Sequence, residues 1–219
     1  MKIDPNAIIY AIDLVGTASF AFSGALRVLD KKPDFVGMLI LASATAVGGS
    51  VLRDVVLSRD VMILRDWGYP LVILFGTLVT YLFPASVRRR ENLFKCSDAI
   101  GIGVFSAITA SVTWNTPGIN PLSVLLVASI TGCAGGVVRD VMAGKTTLVL
   151  SNELYVTPII IGAAALMLVQ SLGAGTLAGL FTAMLVATTI RLLAIRFNWR
   201  LRRVPHVPDV AESDRNPPG

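Results

Sequence analysis

The fold is decided by the stretch TAVGGSVLRDVV at positions 45–56, which returns in altered form as TGCAGGVVRDVM at positions 131–142. The two stretches share a threonine, a glycine, two valines and an Arg-Asp pair at matching places. Every matched pair is separated by 86 residues, as Thr45 is from Thr131. A constant offset over six identities indicates an internal duplication.

The duplication extends to both sides of this stretch. Three upstream positions recur at an offset of 85 residues, namely Asp13, Gly16 and Phe20 as Asp98, Gly101 and Phe105. Downstream, Pro70 and Pro158 each open the next apolar run, at an offset of 88. The sequence therefore predicts two repeats, residues 1–95 and 96–172, followed by a segment outside the duplication at 173–203.

The composition is that of a membrane protein. Of the 219 residues, 54% are apolar even without glycine, and 15% are charged, whereas a soluble domain carries about 25% charged residues. A chain of this size cannot bury so much apolar surface in one core, because about 30% of its surface stays in water. A soluble globular enzyme is therefore excluded.

The apolar runs predict an all-α membrane protein with seven transmembrane helices. Uncharged or nearly uncharged runs span Ala7–Leu26, Phe35–Leu52 and Trp67–Val87. Two longer charge-free runs, 99–138 and 154–190, are divided at 115–121 and at 171–175. Each piece approaches the roughly 20 residues that cross a bilayer. Six helices would result if one weak span were re-entrant. With three helices in each repeat, the second repeat must enter the membrane inverted relative to the first, an architecture typical of transport proteins.

Basic residues predict the orientation of the bundle. One side receives nearly all of them, at positions 27, 31, 32, 88–90, 95, 145, 191, 196, 200, 202 and 203, whereas the other side has Lys2, Arg59 and Arg65. The positive-inside rule then places the N-terminus outside and the C-terminus in the cytoplasm. Residues 204–219 are polar and proline-rich without apolar periodicity, and we expect a disordered tail.

Glycines in the repeated stretch have two interpretations. Gly48-Gly49-Ser50 and Gly135-Gly136 could kink or unwind the second and fifth helices and present carbonyls, with Thr45 and Thr131, to a conduit. Alternatively, small residues allow two helices to pack closely. Their recurrence at matched positions of an inverted pair favours the first interpretation.

The charged residues of the repeats suggest a second kind of site. Arg53 and Asp54 are neighbours about 100° apart on a helix, and a pairing of the two is not expected; the same holds for Arg139 and Asp140. We expect instead the salt bridges Asp13–Arg53 and Asp98–Arg139, one toward each mouth of the bundle, because membrane-embedded charges usually face the bundle interior. Alternatively, these charged residues only clamp helices together, or extend their charged groups to the membrane interface.

Other chemistries find little support in the residue inventory. The single histidine lies in the polar tail, and Cys96 and Cys133 have no metal-binding spacing, so we expect free thiols, no metal site and no catalytic site. The basic residues flank apolar runs, which is not the pattern of a nucleic-acid-binding face. No cofactor is expected apart from permeant cations and bound lipid.

The paired motifs ending in Arg53-Asp54 and Arg139-Asp140 resemble those of the prokaryotic trimeric intracellular cation (TRIC) channels, whose repeated unit has been called a glycine-transporter domain. The resemblance covers about residues 5–200. It implies seven helices, a homotrimer in a prokaryotic inner membrane and a potassium-permeable pore in each protomer, shaped by helices 2 and 5. Ser50 departs from it, because a third glycine is common at that position.

Two functions remain open at this stage. The resemblance favours a passive channel for monovalent cations, in which Arg53 and Arg139, each neutralised by an aspartate, set the field or take part in gating. A secondary transporter of glycine or a similar zwitterion would equally suit inverted repeats and broken helices.

Overall fold

The computed structural model describes residues 4–84, 92–151 and 153–202, and within these ranges the chain forms seven α-helices, as predicted. They are α1 (Pro5–Arg27), α2 (Phe35–Val56), α3 (Gly68–Leu82), α4 (Asn92–Trp114), α5 (Pro121–Met142), α6 (Thr157–Ser171) and α7 (Thr176–Arg196). The tail expected at 204–219 and the arginines at 88–90 lie outside the described residues.

Five of these helices, α1, α2, α4, α5 and α7, are long and apolar enough to cross a membrane. The third helix of each predicted repeat is shorter, since α3 and α6 have 15 residues each, about 22 Å at the rise of an α-helix. The two repeats therefore share their helix lengths as well as their motif.

The helices that carry the motif begin in the same way. Asp34 accepts a hydrogen bond from the backbone of Gly37 and caps α2, at 2.7 Å. Asn120, which lies 86 residues further on, caps α5 in the same way through Ser123, at 2.9 Å. These caps satisfy backbone donors that the first turn leaves free.

The first helices of the two repeats, α1 and α4, pack against each other in opposite directions. Along α1 and α4, Gly16 contacts the side chain of Val104, and the ring of Phe20 contacts Gly101. Rising numbers on α1 thus meet falling numbers on α4, and the two helices are antiparallel. The rings of Phe20 and Phe105 stack between them with centroids 5.3 Å apart.

The connections that follow α2 and α5 repeat as well. Ser58 and Gly144, 86 residues apart, both adopt a left-handed conformation, with φ of 51° and 59°. Short 3₁₀ turns then follow at Met62–Leu64 and Leu148–Leu150, again 86 residues apart. The repeat boundaries at 95 and 172 stay a prediction, and the helix that lies outside the repeats, α7, packs on α4 and α6.

The helices α2 and α5 run without interruption through their glycines, from Phe35 to Val56 and from Pro121 to Met142. The helices are therefore not unwound at Gly48-Gly49 or at Gly135-Gly136, and a kink at these glycines stays a prediction. Gly49 and Gly135 serve a close crossing of α2 and α5, in which the backbones of the two helices touch, whereas Gly136 faces the hydroxyl of Tyr155.

Candidate functional site

The glycines of the repeated stretch bring α2 and α5 into backbone contact. A Cβ atom added at Gly49 would lie 2.6 Å from the carbonyl oxygen of Thr131, and one added at Gly135 would collide with the carbonyl oxygen of Thr45. The two contacts are equivalent under the duplication. Gly48 lies beside the same crossing, and a Cβ atom added there would lie 3.4 Å from the Cα of Gly135. The close-packing interpretation thus accounts for Gly49 and Gly135.

The predicted hydroxyls beside this crossing bond to their own helices. Thr45 donates to the carbonyl oxygen of Leu41 at 2.7 Å, and Thr131 donates to that of Val127 at 2.6 Å. Ser50 likewise donates to a carbonyl oxygen one turn earlier, at 3.1 Å. All three side chains are buried, so their hydroxyls are satisfied locally in this conformation.

One cluster of buried charges lies where α1 ends and α4 begins. The expected ion pair between Asp98 and Arg139 is present, and both side chains are fully buried. Arg139 also pairs with Asp140, with Nε and Oδ1 3.0 Å apart, and Tyr155 donates a hydrogen bond to Asp98 at 3.3 Å. We call Asp98, Arg139, Asp140 and Tyr155 the Asp98 cluster.

Three further side chains close around the Asp98 cluster. Arg27 forms an ion pair with Asp140, with 2.8 Å between Nε and Oδ1. Ser23 accepts a hydrogen bond from Arg139 at 2.7 Å. The guanidinium groups of Arg139 and Arg27 lie 4.6 and 4.8 Å from the centre of the Phe94 ring, within cation–π range.

A second cluster occupies the equivalent positions of the first repeat. It consists of Asp13, Arg53, Asp54 and Tyr69, and we call it the Asp13 cluster. Tyr69 donates a hydrogen bond to Asp13 at 2.8 Å, as Tyr155 does to Asp98. The expected Asp13–Arg53 salt bridge is not formed; Arg53 pairs with Asp54 instead, with 2.8 Å between Nε and Oδ1.

The pairing of neighbours contradicts the expectation from helical geometry. Arg53 and Asp54 pair with each other, and so do Arg139 and Asp140. A separation of 100° holds for Cβ atoms, but the long arginine side chain bends back so that Nε reaches the adjacent carboxylate. Neighbouring Arg-Asp residues can therefore pair when both are buried.

The Asp13 cluster opens into a cavity of about 470 Å³. Asp13 and Arg53 both line it, and within the described residues each keeps one buried polar atom without a hydrogen-bond partner, Oδ1 and Nη1 respectively. Exposed residues at its rim, Asn6, Arg59 and Asp60, connect it with the surface. The buried groups of the cluster comprise two carboxylates and one guanidinium, so the formal charge is negative. The volume falls within the range of small-molecule sites.

The tyrosines of the two clusters were not predicted from the sequence. Tyr69 and Tyr155 lie 86 residues apart, the same offset as the Arg-Asp motifs. Extending the comparison of the repeats into the start of α3 and the loop before α6 would have found them. Their hydrogen bonds to Asp13 and Asp98 make each tyrosine a member of its cluster.

A carboxylate in the loop before α6 connects α7 to the repeats. Glu153 accepts hydrogen bonds from Lys95 and Arg191, both at 2.8 Å. Burial alone would raise the pKa of Glu153, but these two hydrogen bonds outweigh it, and the pKa lies below its usual value of 4.5. The guanidinium of Arg191, on α7, also lies 5.0 Å from the ring centre of Tyr155. The Asp98 cluster is thus supported from α7.

Comparison with known families gives a match over both repeats. The family model described as "Glycine transporter" matches residues 10–85 and 95–171. A UPF0126 membrane protein of Vibrio cholerae is 37% identical over 90% of this chain and 82% of its own length. The UPF0126 inner membrane protein YadS of Escherichia coli K12 is 33% identical over 89% of this chain and 95% of its own length.

Solved structures show the same fold. The crystal structure of a prokaryotic TRIC channel in 0.5 M KCl superposes with a TM-score of 0.83 at 28% identity, covering 90% of this chain and all of that one. A TRIC trimeric intracellular cation channel orthologue from Rhodobacter sphaeroides gives 0.80 at 27% identity, covering 88% and 99%.

Proposed function

The chain belongs to the glycine-transporter family of multi-pass inner-membrane proteins, and from this premise we propose that it is a passive channel for monovalent cations. Its likeness to TRIC cation channels over nearly the whole length of those chains supports this function. The observation in the chain itself that carries the proposal is the negatively charged cavity of the Asp13 cluster, because a site of this sign attracts cations.

The ion path in this proposal runs within one protomer, between α2 and α5, from the Asp13 cluster to the Asp98 cluster. Asp13 and Ser23 lie on one helix and belong to opposite ends of this path, about 15 Å apart at the rise of an α-helix. The stacked rings of Phe20 and Phe105 and the crossing at Gly49 and Gly135 lie between the clusters. In this proposal the described conformation is a closed one.

The finer features of the proposal follow the channels that the chain resembles. Three protomers of 23.3 kDa would form a homotrimer with one pore each. Potassium would pass more readily than sodium, with selectivity weak compared with that of a filter built from backbone carbonyls. With the N-terminus outside, the cavity would face the exterior and the Asp98 cluster the cytoplasm.

Planar-bilayer recording of the purified protein tests this function. In a potassium chloride gradient we expect unitary currents that reverse near the potassium potential, and under bi-ionic conditions a modest preference for potassium over sodium. Asp13→Asn is expected to lower the cation-to-chloride permeability ratio. Asp34→Asn is the matched control, because it removes an exposed carboxylate while asparagine caps α2 equally well. Absence of unitary currents, or reversal at the chloride potential, would exclude a cation channel.

One observation favours a second candidate, transport of a small zwitterion such as glycine. The Oδ1 of Asp13 and the Nη1 of Arg53, which have no hydrogen-bond partner among the described residues, lie in the same cavity. They suit an ammonium and a carboxylate group respectively. Counterflow of labelled glycine into liposomes separates the two functions. Saturable exchange without unitary currents would replace the channel by a transporter.

A further inference from the structure

The two clusters are built from equivalent residues but differ in their access to water. The Asp13 cluster lines an open cavity, whereas the side chains of Asp98 and Arg139 are fully buried in an ion pair. Because the aspartate, the arginine and the tyrosine recur in both clusters, these residues cannot cause the difference. The cause must lie in residues that the duplication did not preserve.

The offset of 85 residues that relates α1 to α4 identifies these positions. The cavity is lined by Ile9, Ile108 and Val112. Their equivalents in the other half are Phe94, Ser23 and Arg27. All three equivalents contact the Asp98 cluster, Phe94 and Ser23 at Arg139 and Arg27 at Asp140. The three positions that line a cavity in one half are thus occupied, in the other half, by side chains that contact the charged groups of the cluster.

The chemistry of two of these side chains explains the closure. Arg27 supplies a second guanidinium, which balances the two carboxylates Asp98 and Asp140 against two arginines. Phe94 supplies a ring against which both guanidinium groups lie. In the other half, Val112 and Ile9 provide neither charge nor a ring, and the volume stays open.

Resting on the proposed channel function, we propose that Arg27 and Phe94 form the gate that closes the Asp98 half of the path. The side chain of Arg27 is 17% exposed, in contrast to 1% for Asp140, so Arg27 reaches the cluster from the surface and can withdraw to it. Its backbone carbonyl accepts a hydrogen bond from Lys145 at 2.8 Å. The loop after α5 is therefore attached to the end of α1 that carries Arg27.

Thiol accessibility tests the gate without relying on current. In a Cys96→Ser, Cys133→Ala background, Ser23→Cys places a reporter beside Arg139, and a charged, membrane-impermeant thiosulfonate is added on both sides. Val112→Cys, which lines the open cavity, is the control and is expected to react in every background. Adding Arg27→Val and Phe94→Ile is expected to accelerate the reaction of Ser23→Cys at least about tenfold. A tenfold change corresponds to a free energy of opening that is lower by about 1.4 kcal/mol.

The outcomes separate the gate from the function. An unchanged Ser23→Cys rate in a folded variant would overturn the gate. An accelerated rate without cation current would leave the gate standing and overturn the channel function.

The reverse exchange provides a second test. Ile9→Phe with Val112→Arg copies the gate into the cavity half, where the new arginine would meet Asp54 as Arg27 meets Asp140. We expect a reduced unitary conductance at unchanged gel-filtration behaviour. An unaltered conductance would contradict the assignment.

Discussion

The crossing of α2 and α5 allows a sharp test of close packing, because two adjacent glycines differ in the space around them. A methyl group at Gly49 would lie 2.6 Å from the carbonyl oxygen of Thr131. That oxygen is a backbone atom and cannot turn aside. A methyl group at Gly48 would have its nearest neighbour at 3.4 Å, an ordinary contact.

The expected magnitude follows from two opposing effects. Alanine in place of glycine stabilises a helix interior by about 1 kcal/mol, and this gain is common to both positions. Overpacking costs about 1–3 kcal/mol and applies to Gly49→Ala alone. Gly49→Ala is therefore expected to be less stable than Gly48→Ala by about 1–3 kcal/mol, or about 2–12 °C in melting temperature for a chain of this size.

Thermal unfolding in one detergent at one scan rate measures this difference. A fixed scan rate matters because membrane proteins often unfold irreversibly. The comparison between neighbouring positions cancels the helix propensity and the effect of the detergent. Equal melting temperatures for Gly48→Ala and Gly49→Ala would refute the packing argument.

Two further predictions concern charged groups. Asp98→Asn is expected to destabilise the fold by about 3–5 kcal/mol, because it leaves the guanidinium groups of Arg27 and Arg139 with a single carboxylate, Asp140, and so an uncompensated buried charge. Asp13→Asn, beside an open cavity, is expected to cost less. Thermal unfolding of both variants compares them, and equal losses would contradict the difference between the halves. The ion pairs of Glu153 stabilise the fold fully above the unfolded pKa of 4.5, and this stabilisation is lost as the pH falls through the lower folded pKa. The difference in melting temperature between the protein and Glu153→Gln should therefore disappear below about pH 4.5. A difference that does not depend on pH would count against this role.

Some features of the site could be predicted because they recur along the chain. The offset of 86 residues led to the Arg-Asp motifs and to the Asp98–Arg139 pair, which is present. Tyr69 and Tyr155 are separated by the same 86 residues. The prediction of an Asp13–Arg53 salt bridge was wrong. Asp13 and Arg53 occupy positions equivalent to those of Asp98 and Arg139, but the residues around them are not duplicated.

The sequence by itself determined the membrane setting, the seven helices and the duplicated, charged motif, since hydropathy and repetition are properties of the linear chain. Only the tertiary structure decided that Gly49 and Gly135 serve a helix crossing, and that Arg27 and Phe94 fill one half while Ile9 leaves the other open. These outcomes depend on which side chains from distant helices meet, and on the space left between them. Neither is encoded in the local periodicity of any one segment.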